Sequence, residues 1–231
     1  MKNLINLYRC KDQVVNDAFD RAIVNIYVKR KQCGYKSFVL CGTEAGVGTT
    51  SVAVEMAIAL SVAGWKTILV DGDLRKNADY KRLNQSAKLG LAEYVREQAK
   101  ESDIIYETSW QSLDYIPCGI DDSESPVRIL CSVRMEKLME NLREQYDYII
   151  IDAPSINSSV DGQILASKAD ATILVCALKS SSKKNLSDAK QKFDEAGANV
   201  IGVIENKVAI EEYKKYIRDY DYFKTQKYVR K

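Results

Sequence analysis

Histidine is absent from the 231 residues of this chain. Its absence removes His-based triads, His metal ligands and His general bases from consideration. Six cysteines are present (Cys10, Cys33, Cys41, Cys118, Cys131 and Cys176), but none forms a Cys-x-x-Cys pair. A zinc centre is therefore not expected, and a chain of this length does not depend on a disulfide framework. The thiols read as reduced, small apolar side chains. Neither charge sign dominates: 34 Lys and Arg stand against 32 Asp and Glu. Nothing in that balance points to nucleic acid or to an anionic membrane surface. The N-terminal "MKNLINLYRCKDQ" lacks the apolar run of a signal peptide. The longest apolar stretch, "SVAVEMAIALSVAGW", is interrupted by Glu55 and is too short to cross a core of ~30 Å. The expectation is a cytoplasmic protein with no transmembrane segment. Internal repeats, low-complexity tracts and linkers are also missing, which leaves one domain.

Hydrophobic residues make up 46% of the chain and charged residues 29%, the balance of a globular protein able to bury a sizeable core. Val14, Ala18, Ala22 and Ile26 recur every four residues, with Val15, Phe19 and Ile23 beside them, and this predicts a helix over 14–26. Short apolar runs predict strands at 37–41, 66–73, 113–117, 146–154, 171–178 and 198–206. Helices are expected from Thr50 to a stop at Gly64, in short pieces near 90–104, and continuously over 127–145. Strands of continuous apolar character that alternate with helices predict an α/β fold: a doubly wound, mostly parallel sheet with helices on both faces.

Between the first strand and the second helix lies "LCGTEAGVGTTS", residues 40–51. Strand, glycine-rich turn and helix together form the context of a phosphate loop. Glycines let backbone N–H groups converge on oxygens, and the helix N-terminus adds partial positive charge. The candidate phosphate contacts are Gly46, Val47, Gly48, Thr49, Thr50 and Ser51, with the Thr50 hydroxyl placed to ligate Mg²⁺. Such loops usually carry a lysine where this chain has Thr49, and without it the stretch reads equally well as an ordinary turn of a parallel sheet. Two further strand ends tip the balance. "ILVDGDLRK" carries Asp71 and Asp73, whose i, i+2 spacing aims both side chains to one side of a strand. "YIIIDAP" ends another strand at Asp152. Doubly wound sheets bind ligands at the carboxyl ends of their strands. Three carboxylates gathered there repel one another, and a divalent cation relieves the repulsion.

These stretches resemble the bacterial tyrosine kinases, a branch of the P-loop ATPases that includes cell-division and plasmid-partition ATPases. "EAGVGTTS" is similar to the family's Walker A loop, "ILVDGDLRK" to its Walker A′ motif and "YDYIIIDAPS" to its Walker B motif. "VIGVIENKV" looks like the strand whose asparagine, here Asn206, contacts adenine. "SPVRILCSVRMEKLMENL" resembles the segment before Walker B. The likeness runs in family order from about residue 17 onward. It implies a P-loop NTPase domain over 1–206 and a tyrosine-rich tail over 207–231. It also implies ATP or ADP with Mg²⁺ as cofactor and a role in capsular or exopolysaccharide synthesis. A membrane adaptor of polysaccharide export is the implied partner, recruiting the protein to the inner face of the membrane. Asp71 and Asp73 take the catalytic positions, and Thr50, Asp73 and Asp152 the metal positions. The implied phosphoacceptors are Tyr213, Tyr216, Tyr220, Tyr222 and Tyr228. Five of the 14 tyrosines lie in residues 213–231, where an even spread would put about one. Ile210, Tyr213, Ile217 and Tyr220 also fit one face of a terminal helix.

Departures from the family pattern are as informative. The lysine that neutralises the β- and γ-phosphates is Thr49. Glu44 stands where partition ATPases carry a second lysine, which with the near-neutral charge disfavours a partition ATPase. The ring-forming Glu-x-x-Arg-x-x-Arg pattern reads Asp17, Asp20 and Ile23, so both arginines are gone and homo-oligomers are expected to be weaker than the family's rings. Arg128 replaces a usual glutamate. Losing one preorganised donor costs on the order of 10²–10³ in rate, whereas loop amides and Mg²⁺ still favour binding. Two readings follow. The first is a kinase-like nucleotide-binding protein with weakened or lost transfer, of the autophosphorylating ATP-dependent type if active. The second is a non-catalytic partner of an active kinase or adaptor, its tail phosphorylated in trans.

Overall fold

The structure, a computed structural model, describes residues 4–75, 87, 89–119, 125–178 and 181–216. The chain opens with α1 (Gln13–Cys33), β1 (Ser37–Gly42), α2 (Thr49–Val62) and β2 (Thr67–Asp71). Next come α3 (Leu91–Val95), α4 (Glu101–Ile104), β3 (Tyr106–Glu107), β4 (Leu113–Ile116), α5 (Pro126–Leu130) and α6 (Val133–Gln145). It closes with β5 (Tyr148–Ala153), α7 (Asp161–Lys168), β6 (Ala171–Ala177), α8 (Lys183–Glu195), β7 (Val200–Asn206) and α9 (Ile210–Tyr216). The seven strands form one sheet in the order β3-β4-β2-β5-β1-β6-β7. Every pairing is parallel except β3 with β4.

Side chains alternate across the sheet, and each face feeds its own core. Phe38 and Leu40 of β1 pack with Ile23 and Ile26 of α1 and with α2, while Val39 and Cys41 pack with α3 to α8. The parallel sheet covered on both faces is therefore as the apolar runs predict. α2 is buried from Val52 to Ser61, which explains its lack of a polar stripe.

Several boundaries differ from the sequence expectation, each for a local reason. α1 continues to Cys33 because Gly34, at φ 75, stops it only there, and because Arg30 bonds the Asp147 carboxylate at 2.7 Å. The single helix expected over 127–145 is two. Ser132 bonds the Met135 amide at 3.1 Å and donates to the Ile129 carbonyl at 2.8 Å, so it caps α6 instead of continuing α5. β2 ends at Asp71, which places Asp73 beyond the strand. The two carboxylates are thus paired by a turn, in which the Asp73 amide donates to Asp71 Oδ1 at 3.1 Å, and not by the pleat. The edge strand β3 has no periodic signal. It forms where Ile5, fully buried, bridges to Thr108.

Asp170 ties the start of β1 to the start of β6. It accepts from the Lys36 and Ser37 amides at 2.8 Å each and from Arg143 Nη1 at 2.8 Å. Burial pushes this carboxyl up, but the Ser37 and Lys36 amides and the Arg143 guanidinium outweigh it and hold it below its ordinary value. A depressed folded value contributes stability above the unfolded value of about 3.9 and loses it as pH falls through the folded value. Asp170→Asn is expected to cost about 1 kcal/mol at pH 7, with the difference shrinking below about pH 4. Urea denaturation across pH measures it. A gap that stays constant with pH would show that the charge is not what matters.

Candidate nucleotide site

The loop from Gly42 to Gly48 is held by its carbonyls. Ile156 N reaches Gly42 O at 3.0 Å and Asn157 Nδ2 reaches Thr43 O at 2.8 Å. Lys207 Nζ donates to Gly46 O at 2.6 Å, and Asn206 Nδ2 to Val47 O at 2.9 Å. Among the described residues no acceptor engages the amides of Glu44 through Gly48. Gly46 and Gly48 take φ of 80 and 90, the alternation that turns successive N–H groups to one side. α2 begins at Thr49 with Gly48 as its N-cap and no side chain capping it, so its first amides are open to an anion.

This loop walls a cavity of about 240 Å³. Its lining includes Glu44, Gly46, Gly48, Thr49, Thr50, Ser51, Asp73 and Arg75, together with Pro154, Ser155 and Ser158 from the turn after β5. Glu44 is drawn to the rim by Ser181 Oγ at 2.7 Å and Asn185 Nδ2 at 3.3 Å. The Thr49 hydroxyl turns toward the root of the loop. A Cβ on Gly42 would lie 2.6 Å from it, so a side chain at position 42 would have to displace the Thr49 hydroxyl.

Asp71 and Asp152 face each other across β2 and β5 as register partners. They share the α2 face, one layer behind the open cavity, in a crevice with Thr50, Val54, Leu69 and Tyr115. Asp71, Asp73 and Asp152 are only 2%, 3% and 3% exposed. Burial pushes the Cys41 thiol up, with Asp152 and then Asp73 adding to the shift. Cys41 is consequently a protonated core thiol. Tyr115 escaped the sequence reading because its position looks like a core strand position. Its buried hydroxyl donates to Asp71 Oδ2 at 3.4 Å, and burial, then Asp71, pushes the phenol well up. Tyr115 thus remains a donor that orients Asp71.

The donor set suits Mg²⁺. This ion takes one or two carboxylates with phosphate and water oxygens, and Thr50 lines both the cavity that holds Asp73 and the crevice that holds Asp152. Among the described residues no group of three or more Cys, Asp or Glu could hold a metal ion; the three carboxylates expected together are divided, Asp73 lining the loop cavity and Asp71 with Asp152 the crevice behind it.

Asn206 stands between the loop and a second, larger cavity of about 390 Å³. Phe19, Val52, Ile204, Val208 and Tyr213 line it. Tyr213 therefore packs against α1 near Asp17 and Arg21, where burial pushes its phenol up, assisted by Asp17, and does not line the loop cavity. The side chain of Tyr216, and all of Tyr220, Tyr222, Tyr228 and Lys76, lie outside the described residues. On α1, Asp17 pairs with Arg21 at 2.7 Å and Asp20 with Arg9 at 3.8 Å. Among the described residues no helix is long and apolar enough to cross a membrane.

The family model of an AAA domain (AAA_31) matches residues 36–210. The tyrosine-protein kinase CpsD of Streptococcus pneumoniae serotype 4 is 34% identical over 71% of this chain and 73% of its own length. Among solved structures, the chimerical protein CapA2B2 superposes with a TM-score of 0.79 at 25% identity, covering 86% of each chain. The septum site-determining protein MinD of Pyrococcus horikoshii, complexed with Mg-ADP, shares the fold with a TM-score of 0.60 at 21% identity. That match covers 79% of this chain and 77% of the other.

Proposed function

The chain belongs to the bacterial tyrosine-kinase family of P-loop ATPases, and on that premise we propose that it binds ATP or ADP with Mg²⁺ in the loop cavity and transfers phosphate only weakly. The observation that carries this reading is the asymmetry of the loop. Its carbonyls are engaged from outside and its amides and helix end are open, yet position 49 holds a threonine in place of the phosphate-binding lysine. Backbone amides act on ground state and transition state alike, so binding survives the loss. The missing charge matters most as the γ-phosphoryl group departs.

In this reading the loop backbone from Gly46 to Ser51 holds the phosphates, and Asn206 marks the side on which the base lies. Thr50, Asp73 and Asp152 would hold Mg²⁺ directly or through water, and the ion would offset phosphate charge. Asp71, oriented by Tyr115, would accept the proton of an attacking tyrosine hydroxyl; since it lies behind Thr50 and is 2% exposed, that tyrosine would have to enter past Thr50 to meet it. The body through Asn206 acts as the domain, and 207–231 as the acceptor tail with Tyr213, Tyr216, Tyr220, Tyr222 and Tyr228. Work in capsular or exopolysaccharide synthesis, with recruitment to the membrane by an adaptor, completes the proposal. Since Asp17 and Asp20 serve contacts within the chain, rings weaker than the family's are expected. The placement of Tyr213 against α1 favours transfer between molecules, and it suits equally a scaffold whose tail is phosphorylated by an active kinase.

Calorimetry with ATP and Mg²⁺, alongside phosphotyrosine detection on the protein incubated alone, tests the proposal. The expected result is clear binding with slow tail phosphorylation. No binding at millimolar ATP would leave only the scaffold.

A further inference from the structure

The loop cavity needs a cation to receive a polyphosphate, and Thr49 does not supply one. Among the described residues that line it, Glu44 and Asp73 are acids and Arg75 is the only base. Lys207 does not take the role, because its Nζ sits on the Gly46 carbonyl and its side chain lines the other cavity. Arg75 follows the Asp71–Asp73 turn and reaches across to the first turn of α7. There Nε meets Asp161 Oδ2 at 2.6 Å and Nη2 meets Asp161 Oδ1 at 3.1 Å. Asp161 is fully buried, whereas the Arg75 side chain is 47% exposed.

We propose that Arg75 is the cation that holds the nucleotide's terminal phosphates in this chain, standing in for the absent lysine at position 49. A guanidinium carries five N–H donors in a rigid fork. Asp161 occupies two of them along the Nε–Nη2 edge and leaves the Nη1 donors to other partners, in a residue that lines the loop cavity. One edge thus serves the fold while the other is left for a ligand; the Asp161 carboxylate offsets part of the guanidinium charge, but the Nη1 donors stay available for a charge-assisted contact. The pairing also preorganises the fork, so less rotamer freedom is lost on binding than with a free lysine. Arg75 follows directly on the Asp73 turn, not on the loop that carries position 49. It therefore supports affinity without reproducing the lysine's position along the breaking bond. The inference rests on the nucleotide-binding reading above.

Arg75→Gln alone would leave Asp161 buried without its partner, so the informative protein is the full-length double variant Arg75→Gln/Asp161→Asn. ATP·Mg²⁺ affinity by calorimetry is expected to fall by about 10-fold to 100-fold, the range for losing a charge-assisted contact. Adding Thr49→Lys to the double variant should restore it. If the double variant binds ATP as tightly as the native protein, Arg75 is structural and the inference falls. A loss that Thr49→Lys does not rescue equally overturns it, since the defect is then one of shape. Should the double variant fail to fold, Asp161→Asn decides. It keeps the cation and frees it, so retained or tighter binding supports the inference, and lost binding in a folded protein overturns it. A native protein that binds no ATP sinks the nucleotide reading instead, a result distinct from all of these.

Discussion

Thr49→Lys will raise phosphorylation of the tail by about 10² or more, with a far smaller change in ATP affinity. The physical reason is where charge develops. In phosphoryl transfer the departing γ-group and the leaving oxygen gain charge that a point cation at the loop neutralises. A threonine hydroxyl offers one neutral hydrogen bond, and here it is turned toward the root of the loop beside Gly42. The lysine stem is longer and projects past that root into the cavity already lined by Thr50, Ser51 and Asp73. Affinity changes little because the loop amides and Arg75 already serve the ground state. Radiolabel incorporation into the tail, measured beside calorimetric ATP binding, checks both halves. Native protein that phosphorylates its tail as fast as the variant would show that another cation already acts in the transition state. A gain in affinity as large as the gain in rate would show uniform binding of ground and transition states, and the lysine would then have no special role in the transition state.

Gly48→Ala should weaken ATP binding by roughly 10-fold to 100-fold and lower the melting temperature. Two penalties coincide at this residue. Its φ of 90 lies where an L side chain is strained by about 1–3 kcal/mol, and each 1.4 kcal/mol is tenfold. A Cβ there would also run into Asn206 Nδ2, the group that fastens the loop through Val47 O. Gly46 separates the two effects. Its φ is 80, and a Cβ there meets nothing within 4 Å, so Gly46→Ala reports strain alone and should be milder. Asn206→Ala in the Gly48→Ala background should recover the part of the defect caused by collision and none of the part caused by strain. ATP affinity and stability in Gly48→Ala equal to the native protein's would mean that the loop is not built around this conformation.

The centre of the sheet was legible in the sequence because β1, β2, β5 and β6 are continuous apolar runs buried throughout, and such runs have one home, between two layers of helices; the two-residue edge strand β3 was not. The loop was legible for a related reason: three glycines between a strand and a helix leave few backbone paths. The Asp71 and Asp152 strand ends were legible because parallel strands entering from one side must end together. Other features had no local sign. Helix α6 starts afresh at Ser132 because one hydroxyl serves two backbone groups, a choice that periodicity does not record. Asp73 sits in a turn and not on the strand, since the strand's last hydrogen bonds go to β5.

What the sequence determined by itself is thus the chemistry available: a phosphate loop without its lysine, three carboxylates, and a tyrosine-rich tail. The tertiary structure alone decided how that chemistry is divided. It set Asp73 in the open cavity and Asp71 with Asp152 behind Thr50, aimed Tyr115 at Asp71 across two strands, and fastened Arg75 to Asp161, 86 residues away, at the cavity wall. Distance along the chain carries no information about such pairs. They form because burial makes an unpartnered carboxylate or hydroxyl costly, and only the folded arrangement determines which partner is near enough to meet that need.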